Sequence, residues 1–235
     1  MPDKFYAYNN KLISPSAGKV LGFSGPPPLA SRSMRFDFKY DHFNPITDMP
    51  DLSGSGLIWT HVEDDVYDFH YDYDNWGYRR TSSGNGGLFN MYGYPYGSGT
   101  LFPMTKHQFD VLDMDMTGVT TVSYLFNSAW PVQNIFSIHN TSSVTDFSYF
   151  IAHTSRIIAI PSLPLFDTSS AVNVSYMCYN TRNVESGSLA LYQQMSSQAT
   201  PPSTHNNCFT NCGSATTTGQ AERAQIPTSW GGTMA

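Results

Sequence analysis

The stretch Ser31-Arg-Ser-Met-Arg-Phe-Asp-Phe-Lys-Tyr40 alternates without a fault: Met34, Phe36, Phe38 and Tyr40 fall on one side, Ser33, Arg35, Asp37 and Lys39 on the other. Period-two alternation of apolar and charged residues defines a half-buried β-strand, with one face on a core and the other in water or against a partner. Further strands are expected at Leu57–Val62, Phe109–Met116, Val119–Phe126, Ile135–Ile138, Phe147–Ile151, Arg156–Ile160 and Ala171–Tyr179. Phe5–Ile13 and Val20–Phe23 could each form a short strand or an extended arm, and the triple proline at 26–28 favours an extended lead into Ser31. No long amphipathic helix stands out, so the expected class is all-β with long loops.

The chain has 235 residues, enough for one large β-domain. Charged residues are 13% of the sequence, roughly half the ordinary share, whereas Tyr and Phe each occur fifteen times. A surface so poor in charge is expected to be covered in part by neighbours. The net charge of -6 and the lack of a Lys/Arg run argue against direct, affinity-setting contact with nucleic acid. No segment has the length and apolarity of a membrane span or the pattern of a signal peptide, so a protein made intracellularly with no membrane span is expected. Three organising segments follow: 1–30 as an extended N-terminal segment or abbreviated first strands, 31–195 as the β-domain, and 196–235 as a polar tail, of which Ser196–Gly219 is too poor in apolar residues to order itself and, if ordered, lies on another surface.

The acidic run Glu63–Asp74, with His61 and His70, is the one plausible ion site. Asp64, Asp65, Asp72 and Asp74 are its candidate Ca²⁺ ligands, although Trp76 and Ser83 stand where a calcium loop needs oxygen donors, and a solvated loop is the competing reading. Cys178, Cys208 and Cys212 are too few and too unevenly placed for a disulfide framework; Cys208 and Cys212 with His205 could hold zinc, and free thiols in a flexible tail are the alternative. Asn140-Thr-Ser and Asn173-Val-Ser fit the glycosylation triplet by composition alone. The Gly84–Gly87 and Gly97–Gly99 stretches lack the lysine of a phosphate loop and read as turns. No catalytic residue and no cofactor is expected. Trp59, Trp76, Trp130 and Trp230 keep a carbohydrate-binding β-sandwich, or a fibre module, as the alternative function.

Ser31–Tyr40 resembles a strand of the capsid proteins of picorna-like positive-strand RNA viruses. Val111-Leu-Asp-Met114, Val122–Trp130, Arg156–Pro164 and Ala171–Tyr179 resemble later strands of the same family, in the same order. The resemblance implies an eight-stranded antiparallel jelly-roll β-sandwich. It also implies a structural subunit, the one around the fivefold axes favoured, made in the host cytoplasm. Such a subunit packs with paralogous capsid proteins into an icosahedral virion, attaches to a host receptor and meets viral RNA only indirectly. Arg35, Asp37 and Lys39 then become expected contacts to a neighbouring subunit.

Overall fold

A computed structural model describes residues 6–8, 11–13, 33–40, 57–71, 108–129, 132–162 and 164–234, with backbone alone for 6–8, 11–13, 57–59 and 69–71. Its regular structure is mainly β with two short helices. Strands β1 (Tyr6–Tyr8) and β2 (Lys11–Ile13) form an antiparallel pair. Strands β3 (Ser33–Asp37), β4 (Leu57–Glu63), β5 (Val66–Tyr71), β6 (Phe109–Met114) and β7 (Val132–Ile135) form a five-stranded sheet in the order β4-β5-β3-β6-β7.

The apolar side of the alternation is realised from Met34 to Phe38, whereas Ser33 and Arg35 on the other side are buried as well. Met34, Phe36 and Phe38 are fully buried, and Phe109 lies 4.9 Å from Phe36 and 5.3 Å from Phe38 between ring centroids. Tyr40 departs from the expected face: it is exposed, past the end of β3, and its hydroxyl reaches Asp110 at 3.1 Å. Arg35 and Lys39 of the polar face have partners inside the chain. Arg35 donates from Nε and Nη2 to the two oxygens of Asp68 at 2.6 and 2.8 Å, and Lys39 Nζ lies 2.6 Å from the buried carboxylate of Asp110.

All pairings are antiparallel from β4 to β6, but β6 and β7 run parallel. From there the chain winds as a stack of coils. Parallel bridges join Thr121 to Asp146, Asp146 to Asn173 and Asn173 to Thr204, so equivalent positions recur after 25, 27 and 31 residues. Alternate amides of each coil donate to carbonyls of the next. Val122, Tyr124, Phe126 and Ser128 pair with Asp146, Ser148, Phe150 and Ala152; the same scheme runs from Phe147 to Asn173 and from Val174 to Thr204.

Within a coil, overlapping four-residue turns carry the chain round, as in Leu125 N to Val122 O and Ala129 N to Phe126 O. Each coil therefore places two residues at positive φ: Tyr124 and Ser128, Tyr149 and His153, Tyr176 and Asn180, Asn207 and Asn211. The buried positions follow suit, with Leu125, Phe150, Met177 and Cys208 stacked in one row and Phe126, Ile151, Cys178 and Phe209 in the next. This is a solenoid, in which each repeat buries its apolar side against its neighbours.

Several sequence expectations give way here. Val119–Phe126, Phe147–Ile151 and most of Ala171–Tyr179 are successive turns, not antiparallel strands, because their buried residues are spaced three and four apart (Val174, Met177, Cys178, Thr181) rather than two. Around Arg156–Ile160 the chain is extended only as far as the parallel bridge from Ala159 to Ser186. Residues 196–235, expected to be a polar tail unable to order itself over 196–219, are folded as far as 234. They supply the fourth coil, helix α2 (Thr217–Arg223) and a closing 3-10 turn (Thr228–Trp230), with Cys208, Phe209, Cys212, Ile226 and Trp230 buried. A few well-spaced apolar residues suffice because the third coil has already built the surface they cover.

Helix α1 (Ser188–Ser196) branches from the third coil, and its start lacks a capping side chain of its own. Glu222 of α2 takes that role: its carboxylate accepts from Gly187 N, Leu189 N and Ser188 Oγ. A carboxylate at a helix N-terminus satisfies free amides and complements the helix dipole. Gly187 itself has φ 96, and a Cβ there would collide with the Ile160 carbonyl.

Two outcomes follow from this packing. Glu222→Ala should lower the free energy of unfolding by about 1–2 kcal/mol, the range for loss of a helix cap, measured by urea titration. Burial pushes all three thiols up, that of Cys212 to about 12. Ellman's reagent should therefore label none of them in the folded chain and all of them in guanidinium; rapid native labelling would contradict the coil assignment of Cys178, Cys208 and Cys212.

Candidate binding face

The turn geometry that builds each coil also decides what its side displays. Positive φ costs a non-glycine residue about 1–2 kcal/mol, and Asn and His, with Ser128 in the first coil, occupy the second such position of every coil. The first position holds Tyr124, Tyr149 and Tyr176, a less tolerant residue type. Their rings are stacked in register at centroid separations of 4.6 Å, with planes 8° apart, for both neighbouring pairs. Ring stacking of this kind contributes about 0.5–1.5 kcal/mol per pair beyond burial, enough to offset much of the backbone cost.

Tyr179 meets Tyr176 edge-on at 5.4 Å and His153 at 5.2 Å, which extends the aromatic strip to one side. Beside it runs a polar row of Ser128, His153, Asn180 and Asn211, tied by Asn211 Nδ2 to Asn180 Oδ1 at 2.9 Å. On the other side the row Thr121, Asp146, Asn173 closes each coil's first turn: the three side chains accept from the amides of Ser123, Ser148 and Ser175. Asn173 also donates to Asp146 at 3.1 Å. Among the described residues, no hydrogen bond uses the hydroxyls of Tyr124, Tyr149 or Tyr176. Burial raises the Tyr124 and Tyr149 hydroxyls above their usual range, Asp146 adding to the first and the neighbouring tyrosines to the second, so both stay protonated donors at neutral pH.

Only some of the residues singled out in the sequence fall within the described part of the chain. Asp64 and Asp65 form the tight turn between β4 and β5; Asp64 has φ 43, His61 Nε2 lies 2.9 Å from its carbonyl, and the Asp65 carbonyl accepts from Phe38 N. Asp72 and Asp74 lie outside the described residues, as do His70's side chain, Trp76, Trp130 and the glycine stretches at 84–87 and 97–99. Among the described residues no group of three His, Cys, Asp or Glu side chains is placed to hold a metal ion. His205 is not a partner of Cys208 and Cys212: its ring stacks on Trp230 at 4.2 Å and 3°, and Nδ1 lies 3.3 Å from the Ser229 carbonyl.

That same stack, with Tyr192 edge-on at 5.4 Å, buries Trp230 and removes it as a sugar platform. Asn173 is tied into the row of coil-closing side chains, whereas Asn140 is exposed at a turn and donates to Asp115. Among the described residues no helix is long and apolar enough to cross a membrane.

The aromatic strip was not singled out from sequence. The available signal was the recurrence of Val122-Ser-Tyr, Phe147-Ser-Tyr and Val174-Ser-Tyr, each followed four residues later by Ser, His or Asn at the second turn. No family model, curated protein or solved structure matches this chain.

The strip's contribution to the fold is measurable. Tyr149→Ala removes two ring stacks and leaves a strained backbone position, so it should destabilise the chain by about 1–3 kcal/mol. Tyr149→Asn, which tolerates positive φ, should recover part of that loss in the same urea titration. Equal losses for the two variants would show that backbone strain is not part of the balance.

Proposed function

We propose that the chain is a non-catalytic structural module of the fibre or binding kind, with the solenoid as a rigid spacer and the tyrosine strip as its recognition surface. The observation that carries this is the in-register row of Tyr124, Tyr149 and Tyr176, whose hydroxyls take part in no hydrogen bond among the described residues. The flat faces of these rings are turned on one another, so the strip offers edges and hydroxyls at one-coil intervals rather than open platforms. Regularly spaced donors beside an amide row suit an extended polymer carrying repeated hydroxyls, such as a polysaccharide. Repeat arrays commonly present ligands with an elongated surface of this type. The histidines at 61, 153 and 205 hydrogen-bond to the Asp64 carbonyl, Asn180 and the Ser229 carbonyl, and none of the three activates a hydroxyl or thiol.

The second reading is the icosahedral capsid subunit with an eight-stranded jelly roll, packing with paralogues. Strand β3 favours it, since Met34, Phe36 and Phe38 line the core as the resemblance implies. The described parts of 122–130, 156–164 and 171–179 weigh against it, being coils of a parallel stack where that architecture needs antiparallel strands.

A polysaccharide array separates the function from the fold. Tyr149→Phe keeps the ring stack and removes one hydroxyl, so it should weaken glycan retention several-fold with unchanged thermal stability; undiminished retention would overturn the recognition strip. Negative-stain imaging of the protein from its natural source distinguishes the two readings, with slender or appendage-borne particles expected, and closed isometric shells favouring the capsid subunit.

A further inference from the structure

His139 lies where the antiparallel sheet meets the first coil. Its amide donates to Met114 O at the end of β6, its carbonyl accepts from Met116 N, and it bridges Asp115 in parallel register. The ring is held from both sides: Nδ1 is 2.9 Å from Asp113 Oδ1 and Nε2 is 3.2 Å from Asp115 Oδ2. A neutral imidazole has one N–H and one lone pair, so it can donate to only one of two carboxylates. The second contact then sets a lone pair against an anion. Both contacts are attractive only in the imidazolium.

The surroundings fix the two carboxylates independently of the ring. Asp113 Oδ1 accepts from Met114 N; Asp115 accepts from Thr117 N at Oδ1 and from Asn140 Nδ2 at Oδ2. On β3, Arg35 stands in register with Asp113 but directs its guanidinium to Asp68. On the second coil, Phe166 bridges Ile138, and the neighbouring Asp167 carboxylate turns to Ser169. Among the described residues, the charged groups that contact the ring are two fixed anions, while the guanidinium of Arg35 is paired with Asp68.

We propose that Asp113, His139 and Asp115 form a proton-operated clasp that fastens the first solenoid coil to the antiparallel sheet while the imidazole carries both protons. The hydrogen bond to Asp113 raises the His139 affinity for its proton, followed by the field of the two carboxylates, against an opposing effect of burial. A histidine raised in the folded state contributes stability that is fully present below its unfolded value of about 6.5 and is lost as pH climbs through the folded value. The clasp therefore weakens as pH rises above that unfolded value and through the raised folded one.

The test is a ring ¹H–¹³C NMR titration of the full chain, with His139 assigned from its loss in His139→Gln, together with urea unfolding at pH 6 and pH 9. His139 should titrate above 6.5, and its contribution should reduce the folding equilibrium constant tenfold per unit of that elevation as pH rises. Protection factors of the His139 and Met116 amides, corrected for intrinsic exchange, should fall over the same range. His139→Gln and, should that variant not fold, Asp113→Asn should each flatten this dependence. Titration at or below 6.5, or an undiminished dependence in the variant that folds, would overturn the clasp.

Discussion

Strand β6 is paired on both edges, and the rest of the architecture depends on that double use. On one edge it runs antiparallel to β3, with Arg35 opposite Asp113 and a register shift between Arg35 and Phe36; on the other it runs parallel to β7. An antiparallel sheet can be built from hairpins, whereas a parallel neighbour must be reached by a long connection. The described residues of that connection, 115–129, contain the first set of turns, so the last antiparallel strand of the sheet also starts the solenoid. Phe109 and Val111 are buried on this strand, and so is Asp110, which Lys39, Tyr40 and Asn134 all engage.

The solenoid balances an unfavourable backbone against favourable stacking. Eight non-glycine residues at equivalent positions of the four coils sit at positive φ, a choice that a single isolated turn would not sustain. Parallel stacking brings each such residue over its equivalent, and the cost is offset jointly by ring stacks, amide pairs such as Asn211 with Asn180, and inter-coil backbone bonds. Buried threonines tighten the same arrangement: Thr154 donates to the Phe126 carbonyl and Thr181 to the Ile151 carbonyl, one coil earlier in each case. Stability here is a property of neighbouring repeats rather than of any one of them.

The strand at Ser33–Asp37 and the core side of Phe109–Met114 are legible from alternation because Met34, Phe36, Phe109, Val111 and Met114 lie on the core. The coils are not, for a physical reason. Burial of Val122, Leu125, Phe126 and Ala129 follows the spacing of a helix, while residues such as Val172, Val174, Tyr176 and Cys178 mimic strand alternation; the chain adopts neither conformation. Only comparison of the sequence with itself, aligning the three Ser-Tyr pairs, exposes the repeat. The strip of tyrosines was hidden for the same reason, since its members are about a repeat apart and acquire meaning only when stacked. The folded C-terminus was missed because composition counts apolar residues without their positions, and Cys208, Phe209 and Cys212 occupy the positions that matter.

The end of the stack has a consequence for how such a protein can change in length. After the fourth coil, Trp230 lies flat on His205, its carbonyl takes the Phe209 amide, and Gly231 sits too close to Thr210 and Asn207 to admit a side chain. That termination is specific to the last repeat, while β6 provides an equally specific beginning. Duplication of an internal unit, such as the one from Asp146 to Val172, would meet compatible surfaces on both sides and leave both ends intact. The solenoid is therefore extensible from its middle, and the distance between its ends is a quantity that evolution or engineering can set one coil at a time.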